Sequence, residues 1–348
     1  FGVPRELNFL GCRVSEALFA QAVQRLTALG GVPVAIDFAP FLAAARLLYD
    51  GPWVAERYAV AGPLIEQQPA AVLPVIRDVL AKAPAIDATA TFKAMYQLQG
   101  YKAQCDAILD TLDCVLTQAA GRVPVIAGSG SNSSEMQKHK SVIYSEMGAA
   151  ALLCISPYYV KTNEEGMYRH FMMSADAASA PIILYNVPGR TGCKISPEVV
   201  RRLSVHPNVM GIKEASGDMS YAMKVARYLS DDFVMYSGND DITVPLLSVG
   251  ASGVISVWAN IMPREVHDMV MDYLEGREEQ ARRTQLRYLD LINALFMEVN
   301  PIPVKEAMNL MGLRAGSYRM PMYPMAPENR AKLAKIVREA GLPVREDA

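Results

Sequence analysis

Two side chains at the ends of neighbouring apolar runs suggest covalent chemistry on a carbonyl group. Lys213 ends the run that begins at Asn208, and Tyr185 directly follows the run Pro181–Leu184. Burial disfavours the charged form of a lysine, which lowers its pKa and frees a neutral amine to attack a carbonyl carbon. A tyrosine at the end of the preceding strand can pass protons to the resulting imine. The pair therefore predicts an enzyme that forms a Schiff base.

Each residue of this pair also has an ordinary structural explanation when it is taken alone. A lysine at a strand end often extends its ammonium group to solvent, and a strand-end tyrosine is a common packing residue. Arg190, which follows Tyr185 in the segment Tyr185-Asn-Val-Pro-Gly-Arg-Thr-Gly192, also suits a structural turn. The chemical interpretation depends on finding the three side chains together.

The elements that must position these residues form a regular series in the second part of the chain. Stretches with helical patterns separate successive apolar runs, and this alternation predicts parallel strands joined by crossover helices. We expect a (β/α) barrel, in which chemistry lies at the carboxyl ends of the strands. The predicted strands start near Val123, Ala150, Pro181, Asn208, Phe233 and Gly253. The predicted helices are Ser134–Met147, Glu164–Ala175, Pro197–Leu203, Tyr221–Leu229, Ile242–Val249, Arg264–Leu274, Gln280–Val299, Val304–Met311 and Pro327–Ala340.

The first part of the chain lacks this alternation and is predicted to be mostly helical. We expect a domain of residues 1–118 and a second domain of residues 119–348, with the boundary near Thr117–Ala120. Val32–Phe38 is a candidate strand, and Leu112–Leu116 is a short apolar run. The predicted helices are residues 14–29, Phe41–Tyr58, Ala70–Lys82 and Ala88–Leu109.

Composition excludes several classes of function. The net charge is −2, from 34 basic and 36 acidic residues, so neither nucleic acid nor an anionic membrane is an expected partner. The 5 cysteines and 4 histidines are dispersed and predict no metal centre and no disulfide framework. We expect a reduced, cytoplasmic compartment. His139 and His170 are predicted to be solvated on charged helical faces.

Seven segments of residues 119–348 form a specific series of motifs. They are Gly121-Arg-Val-Pro-Val-Ile-Ala-Gly-Ser-Gly-Ser-Asn132, Ser156-Pro-Tyr-Tyr159, Tyr185–Gly192, Gly211-Ile-Lys-Glu-Ala-Ser-Gly-Asp218, Tyr236-Ser-Gly-Asn-Asp240, Gly253-Val-Ile-Ser-Val257 and Asn300-Pro-Ile-Pro-Val-Lys305. In this order and spacing, residues 119–348 resemble the dihydrodipicolinate synthase family, and the seven motifs together are far more specific than any one alone. The members of that family are pyruvate-dependent lyases with a TIM-barrel fold.

The resemblance implies a role for each candidate site residue. Lys213 would form the Schiff base with pyruvate, and Tyr185 would donate and accept protons. Tyr159 would belong to a proton relay that crosses a dimer interface, and Arg190 would hold the carboxylate of aspartate-4-semialdehyde. Ile255 would line the pyruvate site through its backbone carbonyl. The resemblance implies no metal and no organic cofactor, a place in lysine biosynthesis, and a homo-oligomer.

The resemblance is incomplete at its start. The family's barrel begins two strands before Val123, and its Gly-Thr-Thr-Gly-Glu motif is absent from this sequence. Residues 1–117 instead resemble the tail of the amidase domain of allophanate hydrolases, through Asn8-Phe-Leu-Gly11, Ala35-Ile-Asp-Phe-Ala-Pro-Phe41 and Ala44–Tyr58. Leu112–Thr117 resembles a late strand of that domain. The expected fold is a TIM (β/α)8-type barrel that lacks its first two strands. Alternatives are an impaired or inactive fusion of two incomplete enzymes, and another pyruvate-dependent aldolase. A hypothesis is that Val32–Phe38 and Leu112–Thr117 replace the missing strands.

Overall fold

The computed structural model describes residues 1–29, 31, 33–108 and 111–345. The chain folds as two units, Phe1–Gln118 and Ala119–Ala348. The first unit contains two short strands, β1 (Gly2–Pro4) and β2 (Val34–Ile36), which pair in parallel with Gly2 opposite Val34. Its helices are α1 (Arg13–Ala28), α2 (Ala39–Asp50), α3 (Trp53–Gln67), α4 (Pro74–Leu80) and α5 (Ala88–Ile108), and α6 (Thr111–Ala119) spans the end of the unit.

The expected single helix over Phe41–Tyr58 is wrong. Helix α2 ends at Asp50, and α3 begins at Trp53. Gly51 lies between them with φ −102° and ψ −170°, the extended conformation that a following proline imposes on its neighbour. Pro52 therefore separates two helices that their apolar pattern alone does not distinguish.

The hypothesis of replacement strands is also wrong. Leu112–Thr117 lies within helix α6, and Val34–Ile36 pairs with β1 in a sheet of its own. Val32 lies outside the described residues. Neither segment joins the large sheet of the second unit.

The second unit is built on a parallel sheet whose strands follow one another in chain order. Within the described residues it contains β3 (Ile126–Gly128), β4 (Ala151–Ile155), β5 (Ile182–Asn186), β6 (Val209–Glu214), β7 (Val234–Ser237) and β8 (Gly253–Val254). The sheet is curled like part of a barrel wall. Its edges are β3 and β8, and neither pairs with another strand of the described chain. All six predicted strands are therefore present.

Helices cover the outer face of this sheet. Side chains alternate between the two faces of a strand, and those that point to the helices, such as Leu152, Leu184 and Ile212, are fully buried. The helices of the second unit, including those that pack on one another rather than on the sheet, are α7 (Ser134–Glu146), α8 (Glu164–Ala177), α9 (Pro188–Thr191), α10 (Pro197–Leu203), α11 (Met219–Ala226), α12 (Thr243–Leu247), α13 (Pro263–Leu274), α14 (Glu278–Arg287), α15 (Leu289–Ala294), α16 (Ile302–Leu310) and α17 (Pro327–Glu339).

The expected helix Gln280–Val299 is wrong in its length, because it is divided between α14 and α15. The division falls at Tyr288, whose buried ring lies 5.2 Å from the ring of Trp258, measured between centroids. Tertiary packing here overrides a continuous helical pattern. No helix in the described part of the chain has the length and apolar character needed to cross a membrane.

Candidate active site

Lys213 and Tyr185 lie side by side on the inner face of the sheet. Strands β5 and β6 pair with Tyr185 directly opposite Lys213, and β7 continues the same row with Tyr236. Residues in register on parallel strands point to the same face of the sheet. The Nζ atom of Lys213 lies 4.4 Å from the centroid of the Tyr185 ring. The two predicted catalytic side chains are therefore in contact.

The surroundings of Lys213 favour its neutral form. Burial, aided by the positive charge of Arg190 and opposed by the negative charge of Asp240, lowers the pKa of Lys213 from 10.5 to about 8. At neutral pH this leaves roughly a tenth of the side chain as free amine, far more than at the ordinary value. The amine is then available as a nucleophile without a metal or a separate base.

Tyr185 is held in its protonated form. Burial raises the pKa of its hydroxyl above 10.0, and the positive charge of Arg190 partly opposes this shift. A hydroxyl that keeps its proton near neutral pH can donate it to a leaving oxygen and take it back in a later step. Its position over Lys213 suits proton transfer at a group bound to the lysine.

Arg190 lies on the short helix α9, directly after the turn that follows β5. Its Nη2 donates a hydrogen bond of 3.0 Å to the carbonyl oxygen of Asn300, the residue before the segment that leads into α16. Its side chain is otherwise exposed, and its charge acts on both Lys213 and Tyr185. A fixed guanidinium beside a nucleophilic amine is suited to bind a carboxylate.

Gly238 makes room for the stem of Lys213, a role that sequence reasoning missed. A Cβ atom at Gly238 would lie 3.0 Å from Cε of Lys213 and 2.5 Å from Cβ of Ala215. The main-chain N–H of Gly238 also donates to the carbonyl oxygen of Glu214, at 2.6 Å. The only sequence signal was the position of this glycine in the segment Tyr236–Asp240.

Asp240 is a second residue that sequence reasoning did not single out. It is 2% exposed, and its Oδ2 accepts hydrogen bonds from the main-chain N–H groups of Val257 at 2.9 Å and Trp258 at 3.0 Å. These bonds fix the segment after β7 to the turn after β8. The carboxylate also raises the pKa of Lys213, against the effect of burial.

The remaining predicted residues lie at the same edge of the sheet or on the surface. Ile255 directly follows β8, and its N–H donates to the carbonyl oxygen of Ser237 at 2.8 Å. Tyr159 is 91% exposed, and its N–H donates to the carbonyl oxygen of Thr191 at 3.3 Å. Within the described residues, no hydrogen bond or ring contact joins Tyr159 to Lys213 or Tyr185. Its place in the site stays a prediction.

Two further polar side chains of the second unit, those of Ser129 and His170, are buried and have polar partners. Ser129 is fully buried, its hydroxyl accepts a hydrogen bond from Ser141 at 3.0 Å, and it lies 3.3 Å from Sγ of Cys154. The expectation that His170 is solvated is wrong, because it is 3% exposed and its Nδ1 lies 2.9 Å from the Ser134 hydroxyl. Burial lowers the pKa of this imidazole.

Residues 106–340 match the sequence model of the dihydrodipicolinate synthetase family. The chain belongs to this family. The 4-hydroxy-tetrahydrodipicolinate synthase of Caldicellulosiruptor saccharolyticus is 48% identical over 241 residues, which are 69% of this chain and 81% of that protein. The synthase of Pelobacter propionicus is 45% identical over 237 residues, or 68% of this chain and 82% of that protein.

Solved structures of the family agree with the fold. The dihydrodipicolinate synthase of Aquifex aeolicus is 37% identical and superposes with a TM-score of 0.66, over 68% of this chain and 80% of that chain. The enzyme of Acinetobacter baumannii complexed with pyruvate is 38% identical, with a TM-score of 0.65 over 66% and 79% of the two chains. The prediction of an α/β fold of the TIM-barrel type is confirmed for the matched region.

The family match also corrects the predicted start of the resemblance. It begins at residue 106, whereas the sequence motifs placed the start at residue 119. Leu112–Thr117, which was expected to be a late strand of an amidase-like domain, lies inside the family match and inside helix α6. Its apolar residues therefore belong to a helix that precedes β3.

Proposed function

We propose that the chain is a 4-hydroxy-tetrahydrodipicolinate synthase, a lyase of lysine biosynthesis that condenses pyruvate with aspartate-4-semialdehyde. The observation that carries the proposal is the contact between Lys213 and Tyr185, with the pKa of Lys213 lowered to about 8. Relatives with this enzyme name, and a solved family structure complexed with pyruvate, support the choice of reaction and of pyruvate.

The first half of the reaction uses only the side chains of Lys213 and Tyr185. The neutral amine of Lys213 attacks the ketone carbon of pyruvate, and Tyr185 donates a proton to the departing hydroxyl as water leaves. The protonated imine then accepts the electron pair released when the pyruvate methyl group loses a proton. The product is an enamine on Lys213. Because the imine nitrogen withdraws these electrons, the step needs no metal and no organic cofactor.

The second half brings in the aldehyde. The enamine carbon attacks the aldehyde carbon of aspartate-4-semialdehyde, and the new oxygen takes a proton that Tyr185 can deliver. The guanidinium of Arg190 would hold the carboxylate of this substrate, and the carbonyl of Ile255 would line the pyruvate side. Attack of the substrate's own amino group on the imine carbon then closes the ring and releases Lys213.

Tyr159 fits this scheme best in an assembly of two chains. It is 91% exposed, beside the half-exposed Tyr158 and the exposed Val160, and its φ of 69° is uncommon for a residue other than glycine. An outward tyrosine held in this conformation is suited to enter the site of a second copy. A homo-oligomer is therefore part of the proposal.

A second candidate is a protein that forms the Schiff base but does not complete the condensation. The observation that favours it is the sheet itself, whose two edges are unpaired among the described residues, where a TIM barrel has a closed wall of eight strands. The Gly-Thr-Thr-Gly-Glu motif is also absent from the sequence. Turnover of aspartate-4-semialdehyde in the presence of pyruvate separates this candidate from the first.

The first test is reductive trapping. Incubation with pyruvate and borohydride should add a stable adduct, and peptide mass spectrometry should place it on Lys213. Lys213→Ala should abolish the adduct, whereas Lys224→Ala, which removes an exposed lysine of α11, should leave it unchanged. A folded protein whose Lys213 stays unmodified would overturn the proposed function.

A further inference from the structure

A buried hydrogen-bonded pair lies directly behind Lys213 and Tyr185. Asn186 follows Tyr185, Glu214 follows Lys213, and the two residues face each other in the register of β5 and β6. Because consecutive side chains of a strand point to opposite faces, this pair lies on the outer face of the sheet. Asn186 is fully buried, and Glu214 is 2% exposed.

Both oxygens of the Glu214 carboxylate accept hydrogen bonds. Oε2 accepts from Nδ2 of Asn186 at 2.7 Å, and Oε1 accepts from the main-chain N–H of Ser216 at 2.7 Å and from the Ser216 hydroxyl. The side-chain oxygen of Asn186 accepts from the N–H of Ile195 at 3.1 Å. The pair thus joins the ends of two strands to the segments that follow each of them.

The main chain continues this connection toward β7. The N–H of Ala215 donates to the carbonyl oxygen of Asn186 at 2.9 Å, and the carbonyl oxygen of Glu214 accepts from Gly238 at 2.6 Å. Gly238 is the residue whose lack of a side chain leaves room for the stem of Lys213. Movement of Glu214 would therefore be transmitted to the end of β5 and to the segment after β7, the two elements on either side of Lys213.

The position of this pair is hard to explain by stability alone. Burial of a carboxylate carries a desolvation cost that its partners offset only in part, and apolar residues of similar volume often stabilise such a position as well or better. The charges that act on the pKa of Lys213 are those of Asp240 and Arg190. Any influence of Glu214 on Lys213 therefore acts through geometry.

We propose that Glu214 and Asn186 are positioning residues, which lock the ends of β5 and β6 so that the Lys213 amine stays buried over the Tyr185 ring. The proposal rests on the proposed function, since Schiff-base formation is the reaction that needs this geometry. In this proposal, two residues on the outer face of the sheet hold the catalytic pair on the inner face in position.

The proposal is tested by swapping the amide of Asn186 and the carboxylate of Glu214 between β5 and β6. In Glu214→Gln, an amide NH2 group faces the NH2 group of Asn186 or the N–H of Ser216. In Asn186→Asp, two carboxylates face each other, which is strongly unfavourable. The double variant Glu214→Gln/Asn186→Asp keeps the wild-type number of charges. It also restores every hydrogen bond of the pair, and only the bond between positions 186 and 214 has its donor and acceptor reversed. The new amide on β6 then donates to the new carboxylate on β5, while both side chains keep their other partners.

A matched control changes a buried glutamate elsewhere in the second unit. Glu306 of α16 is 8% exposed, and its Oε2 accepts a hydrogen bond from the Tyr318 hydroxyl at 2.9 Å. Its Oε1 accepts a hydrogen bond from Nε of Arg330 at 2.6 Å. Glu306→Gln therefore removes one buried negative charge, as Glu214→Gln does, without touching the ends of β5 and β6.

The measurements are the pH dependence of Lys213 modification by formaldehyde and cyanoborohydride, the rate of pyruvate trapping, and the thermal unfolding midpoint. In each single variant we expect the midpoint of Lys213 modification to move up from about 8 toward 10.5. Pyruvate trapping at neutral pH should slow on the order of tenfold to a hundredfold, as for other small misplacements of reacting groups. The double variant should recover both values, and Glu306→Gln should change neither.

The outcomes separate the two proposals. Single variants that unfold more easily but keep the wild-type titration of Lys213 and the wild-type trapping rate would overturn the positioning role. If pyruvate is not trapped by the wild type, the proposed function fails. The positioning role would then be tested by the pH midpoint of Lys213 modification alone. A midpoint that shifts in the single variants and returns to the wild-type value in the double variant supports the role, and a midpoint that does not shift overturns it.

Discussion

The two units of the chain differ in how much of their apolar surface they bury. In the described residues of Phe1–Gln118, the buried apolar side chains are Val54, Leu80, Ala83 and Ala94, whereas Leu10 is 90% exposed and Val60 is 85% exposed. The second unit buries whole strand faces, together with the large rings of Phe171, Phe233 and Trp258. A site that must hold a desolvated lysine requires the second kind of environment.

The buried surface of the second unit is what allows a lysine to act as a nucleophile there. Lys213 loses its charge readily only because packed strands and helices exclude water around its stem. The ion pair between Lys82 and Asp50 in the first unit lies at the surface, at 3.0 Å, with side chains 47% and 70% exposed. Exposed pairs of this kind contribute little to stability.

The largest expected contrast is between two tyrosine hydroxyls. Tyr185→Phe should lower the rate of condensation about 10²- to 10⁴-fold, because it removes the group that transfers protons at the imine. Tyr58→Phe removes a hydroxyl that donates to Glu66 at 2.8 Å in the first unit and should leave the rate unchanged. Steady-state kinetics of both variants measure the contrast. Equal rates in the two variants would contradict the role given to Tyr185.

A second contrast concerns the two cores. Phe171→Ala, at a fully buried position of α8, should lower the free energy of unfolding of the second unit by about 3–5 kcal/mol. Leu80→Ala, in the small cluster of Val54, Leu80 and Ala83, should cost about 2–3 kcal/mol, and only in the first unit.

Hydrogen exchange followed on peptides of each unit distinguishes these two effects. Phe171→Ala should raise exchange in β4, β5 and α8, and Leu80→Ala should raise it in α3 and α4. Exchange that rises equally throughout the chain in both variants would show that the two cores unfold as one.

The sequence predicted the strands and the site pair better than it predicted their surroundings. The six strands follow from short β-branched runs with helical stretches between them, which is a local signal. Lys213 and Tyr185 follow from strand ends and from motif spacing. Glu214, Asn186 and Gly238 act through contacts between strands, and these depend on a register that the sequence alone does not fix.

The errors at the helices have a similar cause. Tyr288 interrupts a continuous helical pattern because its ring packs beside Trp258, which lies far away in the sequence. His170 lies among charged neighbours in the sequence, but the position of α8 turns it toward Ser134 and the carbonyl oxygen of Ile155. Only Pro52 gave a local signal that could have corrected the prediction, since a proline restricts the residue before it.

A third prediction concerns the pH dependence of Schiff-base formation. The pKa of Lys213 is lowered from 10.5 to about 8, so the neutral amine increases about tenfold per pH unit below pH 8 and is nearly complete above it. The trapping rate with pyruvate should therefore rise up to about pH 8 and then level off. A rate that continues to rise toward pH 10.5 would show that the second unit does not desolvate this lysine.

The same shift has a consequence for stability, with a definite sign. Above pH 8 the folded protein has lost the Lys213 proton while the unfolded chain still binds it, until about pH 10.5. Stability relative to Lys213→Met should therefore rise with pH between these two values, because the unfolded state binds more protons there. Chemical denaturation of both proteins at several pH values measures this difference.

The smallest expected contrast is between two glycines. Gly238→Ala places a Cβ atom 2.5 Å from Cβ of Ala215 and 3.0 Å from Cε of Lys213, so it should destabilise the second unit by about 1–3 kcal/mol and slow pyruvate trapping. Gly100→Ala lies in helix α5 of the first unit, where the new Cβ meets no atom within 4 Å. It should stabilise its helix by about 0.5–1 kcal/mol. The two signs differ because a Cβ atom meets open space at Gly100 and two packed side chains at Gly238. If Gly238→Ala keeps the wild-type stability and trapping rate, then the packing around the lysine is looser than its buried position indicates.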